Sequence, residues 1–223
     1  MVTVACVYWK GPWMGSTSPY DASWVNKLHR MVERNMHVPY EFVCLTNAPK
    51  GIHCHTLPLQ YNWSGWWSKM ELFRPGLFKD RVLFLDLDVL ILQDLQPFID
   101  FPSPFATIGR GLKNGKRVRH RDGHMEIFRY NTSVIVFDAG EGSVLYTLFE
   151  HDAEAVMNKY RSDQDYIGGK LTNLGIFPKE WIDKLGNCFD GIPTPEMKIT
   201  LSMPDKNVEA AKKYKWVNEL WNQ

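Results

Sequence analysis

Cysteine is scarce in this chain. Only Cys6, Cys44, Cys54 and Cys188 occur among 223 residues, and no two form a C-x-x-C pair. Cys6 and Cys44 fall in apolar, strand-like runs, where reduced thiols are commonly buried. The expectation is therefore a reducing compartment, the cytoplasm, and not a disulfide-framed exterior. Charge of one sign is also lacking: 26 Lys and Arg stand against 25 Asp and Glu, which excludes bulk electrostatic binding to nucleic acid. No apolar run reaches the roughly 18 to 20 residues of a membrane span. The opening "MVTVACVYWK" has neither a basic n-region nor a long apolar core, so it is expected to be a strand and not a secretory signal. No repeat, low-complexity tract or linker divides the chain, which points to a single domain that buries about 70% of its unfolded surface.

Strand and helix patterns alternate over the first 95 residues. "VTVACVYW", "YEFVCLTN", "IHCHTLPL", "RVLFLDLDVLIL", "FATIGRG" and "YNTSVIVFDAG" read as strands, being rich in β-branched and aromatic residues. "SWVNKLHRMVERNM" places Trp24, Leu28, Met31 and Val32 at helical spacing behind Asp21 or Ser23 as a cap. "SGWWSKMELFRPG" reads as a helix from Ser64 to Pro75, and "EGSVLYTLFEHDAEAVMNKY" as one continuous helix. A further short helix opens at "SDQDYI", a late strand covers Lys198 to Met203, and the tail "NVEAAKKYKWVNELW" is helical. The alternation predicts an α/β fold with a mostly parallel sheet between helices. In such sheets ligands bind beyond the C-terminal ends of the strands.

The segment "RVLFLDLDVLILQDL" carries the sharpest chemical signal. It is almost wholly apolar except for Asp86 and Asp88, and burying bare carboxylates is costly unless they are paired or bind a metal. Period-two spacing in a strand would send both to one side. Three readings compete. The pair suits a Mg²⁺ or Mn²⁺ clamp, it is the polar end of a buried strand, or it is the nucleophile pair of a haloacid-dehalogenase-like phosphatase. Against the phosphatase, Leu90 stands where Thr or Val is expected, and about 80 residues with at least two strands come before a motif that usually sits on the first strand.

Four motifs in order resemble the GT-A-fold nucleotide-sugar glycosyltransferases, in particular the group of glycogenin and the bacterial lipopolysaccharide galactosyltransferases. They are Lys69 on a helix, the D-x-D of Asp86 and Asp88, Asn131 and Ser133 in "YNTSVIVF", and Asp163, Gln164 and Asp165 in "SDQDYI". The resemblance covers roughly residues 2 to 170. It implies a nucleotide-sugar-binding core over 1–170 and a C-terminal acceptor-side and packing segment over 171–223. By the same resemblance Asp86 and Asp88 hold Mn²⁺ or Mg²⁺, Asp86 also reaches the ribose, and Lys69 sits near the phosphates or donor sugar. Asn131 and Ser133 contact the donor, Asp163 binds its sugar, Gln164 faces the anomeric carbon and Asp165 is the candidate catalytic carboxylate. The implied activity moves a hexose from a nucleotide sugar, a UDP-sugar by expectation, with retention, to a glycan, lipid or protein acceptor. A cation suits this chemistry because negative charge develops on a diphosphate leaving group.

Other residues carry expectations of their own. Val7 and Tyr8 end the first strand, where Tyr8 either stacks on the nucleotide base or fills the core. Lys27 on the first helix is a candidate to face the same site. His53 and His55 share one face of a strand, and His120 and His124 lie in the basic stretch from Arg110 to His124, a solvated loop or a lid over an anionic donor. In the family a late His completes the metal site. Here no His follows His151, and Met203 or Asp205 stands near its place. The third ligand is therefore in question, and a non-catalytic sugar-nucleotide-binding relative is the further alternative. "KKYKWVNELW" raises membrane contact by the tail, against a Trp-anchored packing helix.

Overall fold

A computed structural model of the chain describes residues 1–13, 16–109, 117–119, 125–127, 130–171, 174–185, 193–202 and 204–222. The chain starts with β1 (Val2–Tyr8), the two-residue strands β2 (Pro12–Trp13) and β3 (Ser16–Thr17), helix α1 (Ala22–Asn35), β4 (Tyr40–Thr46) and β5 (His55–Pro58). A 3₁₀ helix (Gly65–Phe73) leads to β6 (Val82–Leu85), β7 (Leu90–Ile91), α2 (Gln96–Ile99) and β8 (Phe105–Gly109). A small antiparallel pair, β9 (Arg117–Arg119) and β10 (Met125–Ile127), precedes β11 (Tyr130–Phe137). Then come α3 (Ser143–His151), α4 (Ala153–Lys159), α5 (Asp163–Lys170) and β12 (Gly175–Ile176). A 3₁₀ turn (Lys179–Trp181), β13 (Ile182–Lys184), β14 (Ile199–Leu201), α6 (Pro204–Lys213) and α7 (Lys215–Asn222) complete the described chain.

Seven strands form the central sheet in the order β12-β8-β11-β6-β1-β4-β5. The neighbours β6-β1, β1-β4, β4-β5 and β12-β8 are parallel, whereas β11 runs antiparallel to both β6 and β8. The expected mostly parallel α/β sheet is thus present. Its strands alternate between two cores. Val4, Cys6 and Tyr8 of β1, Leu83 and Leu85 of β6, and Val134 and Val136 of β11 face one side with Trp24, Leu28, Met31 and Val32 of α1. Ala5, Phe84, Ile135 and Phe137 face the other with Met70, Leu72 and Phe73, and with Leu145 and Phe149 of α3. Helices on both faces explain why these strands read as near-continuous apolar runs.

The connections place β4 and β5 on one side of β1 and β6 on the other. The crevice beyond the C-terminal ends of β1 and β6 is therefore a switch point, where α/β sheets bind ligands. Asp86 is the first residue past the end of β6.

Several local expectations are corrected. Residues 81–92 are not one strand: β6 stops at Leu85, the chain turns through Asp86–Asp88 with the Val89 N–H on the Asp86 carbonyl at 3.4 Å, and Leu90–Ile91 joins a separate three-stranded sheet with β14 and β13. Leu87, Val89, Leu90 and Ile91 stay buried across the break, so the apolar pattern reports burial and not continuity. The helix expected over 141–160 is two: Asp152 ends α3 and restarts α4 by accepting from the Ala155 N–H at 3.1 Å. The helix around Lys69 is 3₁₀, and Ser64 makes no side-chain cap bond. Asp21 does cap α1, accepting from the Ser23 N–H at 2.9 Å.

Candidate functional site

A β-bulge shapes one wall of the crevice. Between β11 and β8 the register jumps from Asn131 to Ile135, and Thr107, wholly buried, donates its hydroxyl hydrogen toward the Asn131 carbonyl (2.7 Å) and the Val134 carbonyl (2.9 Å). Bulges re-aim side chains. Here Thr132, within the bulge, donates to Asp163 Oδ2 at 2.6 Å. The partner helix can approach because α5 carries Gly168, where a Cβ would lie 2.7 Å from Tyr130 Cδ2. Ser162 caps α5 by accepting from the Asp165 N–H at 3.4 Å.

Lys69 joins the two walls. Its ammonium lies 2.9 Å from Asp86 Oδ1, 3.1 Å from Asp86 Oδ2 and 3.3 Å from Asp163 Oδ2. Burial by itself would lower the Lys69 pKa, but Asp163 and Asp86 more than offset it and hold the lysine above its ordinary value. Asp163 is only 1% exposed, and burial raises its carboxyl although Lys69 and Thr132 oppose the shift. The Asp86 N–H donates to the Ser133 carbonyl at 2.8 Å, which pins the D-x-D turn to β11.

Asp88 has weaker support. Its Oδ2 accepts from the Tyr20 hydroxyl at 3.0 Å. Burial, and then the nearby Asp86, push its carboxyl up to about 7, against Tyr20 and Lys69. Asp86 and Asp163 thus hold one ammonium between them with Asp88 nearby, and when ionised the three carboxylates leave two negative charges in a partly dry crevice. That imbalance fits a divalent cation, and oxygen donors are the ligands that Mg²⁺ and Mn²⁺ favour. Among the described residues no group of three or more His, Cys, Asp or Glu side chains is placed to hold a metal ion, so the protein ligands on offer are the two carboxylates of the D-x-D turn.

The sequence-derived candidates divide as follows. Lys69, Asp86, Asp88 and Asp163 come together. Ser133 joins them through its backbone carbonyl. Asn131 is half-buried beside them and uses its Oδ1 on the Ser133 N–H at 3.0 Å. Gln164, half-buried, and Asp165, 7% exposed, stand on the first turn of α5 directly after Asp163. Tyr8 is 3% exposed within the α1-side core, the second of its two expected places, while Val7 beside it is half-buried. Lys27 does not face the site, because its ammonium lies 3.6 Å over the Trp221 ring of α7. His55 pairs with Glu41 at 2.6 Å on the exposed edge, and neither His53 nor His55 belongs to a metal-holding group of three or more among the described residues. Met203, His120, His124, Cys188 and the stretch 110–116 lie outside the described residues, as does the Asp205 side chain.

Tyr20, Thr132 and Asn207 were not foreseen. Asn207, fully buried on α6, donates its amide to the Asp88 main-chain carbonyl at 2.9 Å. Only Thr132 had a signal in the sequence, since it stands between two residues already singled out.

No family model and no curated protein matches the chain. Solved structures do match. An apo structure of the bifunctional glycosyltransferase WbbM superposes at TM-score 0.59 and 16% identity, over 89% of this chain and 45% of that one. The galactosyltransferase LgtC, solved with donor and acceptor sugar analogues, superposes at TM-score 0.59 and 12% identity, over 89% of this chain and 86% of that one. The fold is GT-A-like. The chain spans less than half of WbbM, and the identities are low. Within this GT-A-like frame the D-x-D turn stands at the crevice beyond β6, with Lys69 and α5 beside it.

Proposed function

We propose that this chain is a metal-dependent glycosyltransferase that takes a hexose from a nucleotide sugar, a UDP-hexose, and transfers it with retention to an acceptor hydroxyl on a glycan, lipid or protein. The observation that carries the reading is the Asp86–Lys69–Asp163 cluster, with Asp88 beside it, at the switch point of a GT-A-like sheet. The two similar structures are glycosyltransferases, and LgtC was solved with donor and acceptor sugar analogues.

Asp86 and Asp88 would hold Mn²⁺ or Mg²⁺, which supplies positive charge to the departing diphosphate. Lys69 keeps the carboxylates of Asp86 and Asp163 apart and in place, and adds fixed positive charge to the phosphate side of the crevice. Asp163 is braced by Thr132 and Lys69, so it fixes the first turn of α5 relative to the D-x-D turn. That turn presents Gln164 and Asp165, which we assign to the anomeric side of the donor. Asn131 and Ser133 line the donor side of the β11 bulge, and Val7 offers backbone groups to the base. The free thiols Cys6, Cys44 and Cys54 favour the cytoplasm as the compartment.

Donor hydrolysis tests the reading. UDP-hexose with Mn²⁺ should release UDP slowly, and Asp88→Asn should abolish the release. Release that is unaffected by Asp88→Asn or by removing the metal would refute the assignment.

A further inference from the structure

Asp88 is gripped from two directions by residues that no motif contains. Asn207 holds its main-chain carbonyl across 119 positions of sequence, and Tyr20 holds its carboxylate across 68. The carbonyl needs such a partner because Asp88 sits in a turn and not in a strand ladder. Asn207 is 0% exposed, yet only its Nδ2 is used: Oδ1 has no hydrogen-bond partner among the described residues. A buried amide with one half unsatisfied is a poor choice for packing alone, since an apolar side chain would fill the space without that cost. Its one bond is therefore the informative feature, and that bond ends on the D-x-D turn.

Both grips lead to the C-terminal helices. Asn207 lies on α6. The Tyr20 ring meets Trp24 edge-on, with centroids 5.3 Å apart, and Trp24 meets Trp221 of α7 at 4.9 Å. Lys27 caps the same Trp221 ring. The 204–222 segment is thus fastened to Asp88 through one direct hydrogen bond and one aromatic relay.

We propose that Asn207 and Tyr20 are positioning residues for Asp88, and that through them the α6–α7 pair sets how tightly the D-x-D turn binds its cation. The inference rests on the metal reading above. Groups that orient a metal ligand from outside its coordination shell typically account for about 10–100-fold in affinity. Asn207 works as a donor: its Nδ2–H fixes the carbonyl and hence the peptide plane from which the Asp88 side chain projects. Tyr20 works on the carboxylate, holding Oδ2 so that the other oxygen faces the crevice.

The test measures Mn²⁺ binding alone, by the electron paramagnetic resonance signal of free Mn²⁺, with no nucleotide sugar present. Tyr20→Phe keeps the ring on Trp24 and deletes the hydroxyl. It should weaken Mn²⁺ binding about tenfold or more, with no more than the modest loss of Tm that one deleted hydrogen bond brings. Asn207→Leu and Asn207→Asp both remove the donor, and both should weaken Mn²⁺ binding by a similar factor. Wild-type affinity in Tyr20→Phe overturns the proposal even if the Asn207 variants fold poorly. Tighter Mn²⁺ binding in Asn207→Asp also overturns it, because that result makes residue 207 a ligand and not a positioning residue. If wild-type protein itself binds no Mn²⁺ at millimolar concentration, the metal reading fails and the proposal falls with it. If wild type binds and all three variants match it, this proposal alone fails.

Discussion

Replacing Lys69 with methionine removes the ammonium that sits 2.9 Å from Asp86 and 3.3 Å from Asp163. At an effective dielectric constant of about 20, each contact corresponds to about 5 kcal/mol of gross Coulomb attraction. In the wild type most of this is offset by taking the charged groups out of water. The expected net loss is about 3–5 kcal/mol, as is usual when one partner of a buried pair is deleted. For a chain of this size the loss lowers Tm by about 6–20 °C. The pH dependence gives a sharper test. Lys69 is held above its ordinary value, so its contribution is fully present below about pH 10 and is lost only as pH climbs further. In the variant, Asp163 and Asp88, already raised by burial, also lose the ammonium that opposed the rise. A raised carboxyl binds its proton more readily in the folded chain, so the variant gains stability as pH falls toward the ordinary carboxylate value of about 4. The deficit against wild type is therefore largest near pH 8 and shrinks toward pH 5. Urea unfolding of both proteins at pH 8, 6.5 and 5 measures it. Equal stability at pH 8, or a deficit that does not shrink on acidification, refutes the reasoning.

Two further outcomes follow from the same geometry. Thr132→Val keeps the side-chain shape but leaves Asp163 without its 2.6 Å donor. It should cost about 1–3 kcal/mol in urea unfolding, and a neutral result would remove Thr132 from the site. Cys54 is half-buried with its thiol pushed up to about 12, chiefly by burial. At pH 8 its thiolate fraction is about 2,000-fold below that of a free cysteine, and greater intrinsic nucleophilicity recovers only about 30–50-fold. Alkylation by iodoacetamide, followed by mass spectrometry, should therefore run about 50-fold slower than for free cysteine, and a rate equal to free cysteine contradicts the burial described here.

Much of the sheet is legible in the sequence because burial on both faces leaves β-branched and aromatic runs. "VTVACVYW" and "YEFVCLTN" became β1 and β4 to within a residue at each end, and "YNTSVIVFDAG" became β11, which stops three residues earlier at Phe137. The same signal misled at 81–92, since Leu87, Val89, Leu90 and Ile91 are buried for a different reason, Leu90 and Ile91 as a strand of a second small sheet. The antiparallel placement of β11 is a matter of topology and leaves no mark on composition. Asp86 and Asp88 were legible as carboxylates in an otherwise apolar run, and Lys69 and Asp163 through the family resemblance. Thr132, Tyr20 and Asn207 were not, because each matters through one contact made 31, 68 or 119 residues away. Tyr8, left open between base contact and core by its place at a strand end, packs in the core shared with the first helix.

The central claim is that the D-x-D crevice binds a nucleotide sugar together with a divalent cation. The most direct measurement is thermal unfolding of the wild-type chain across a panel of nucleotide sugars, each with and without Mn²⁺, and with Asp88→Asn alongside. A donor at about 100 times its dissociation constant stabilises by about 2.7 kcal/mol, which raises Tm by about 5–11 °C. The account predicts that rise for a UDP-hexose in the presence of Mn²⁺, little or none without the metal, and none in Asp88→Asn. A panel in which no nucleotide sugar shifts Tm with Mn²⁺ present, or in which Asp88→Asn responds like wild type, would contradict it.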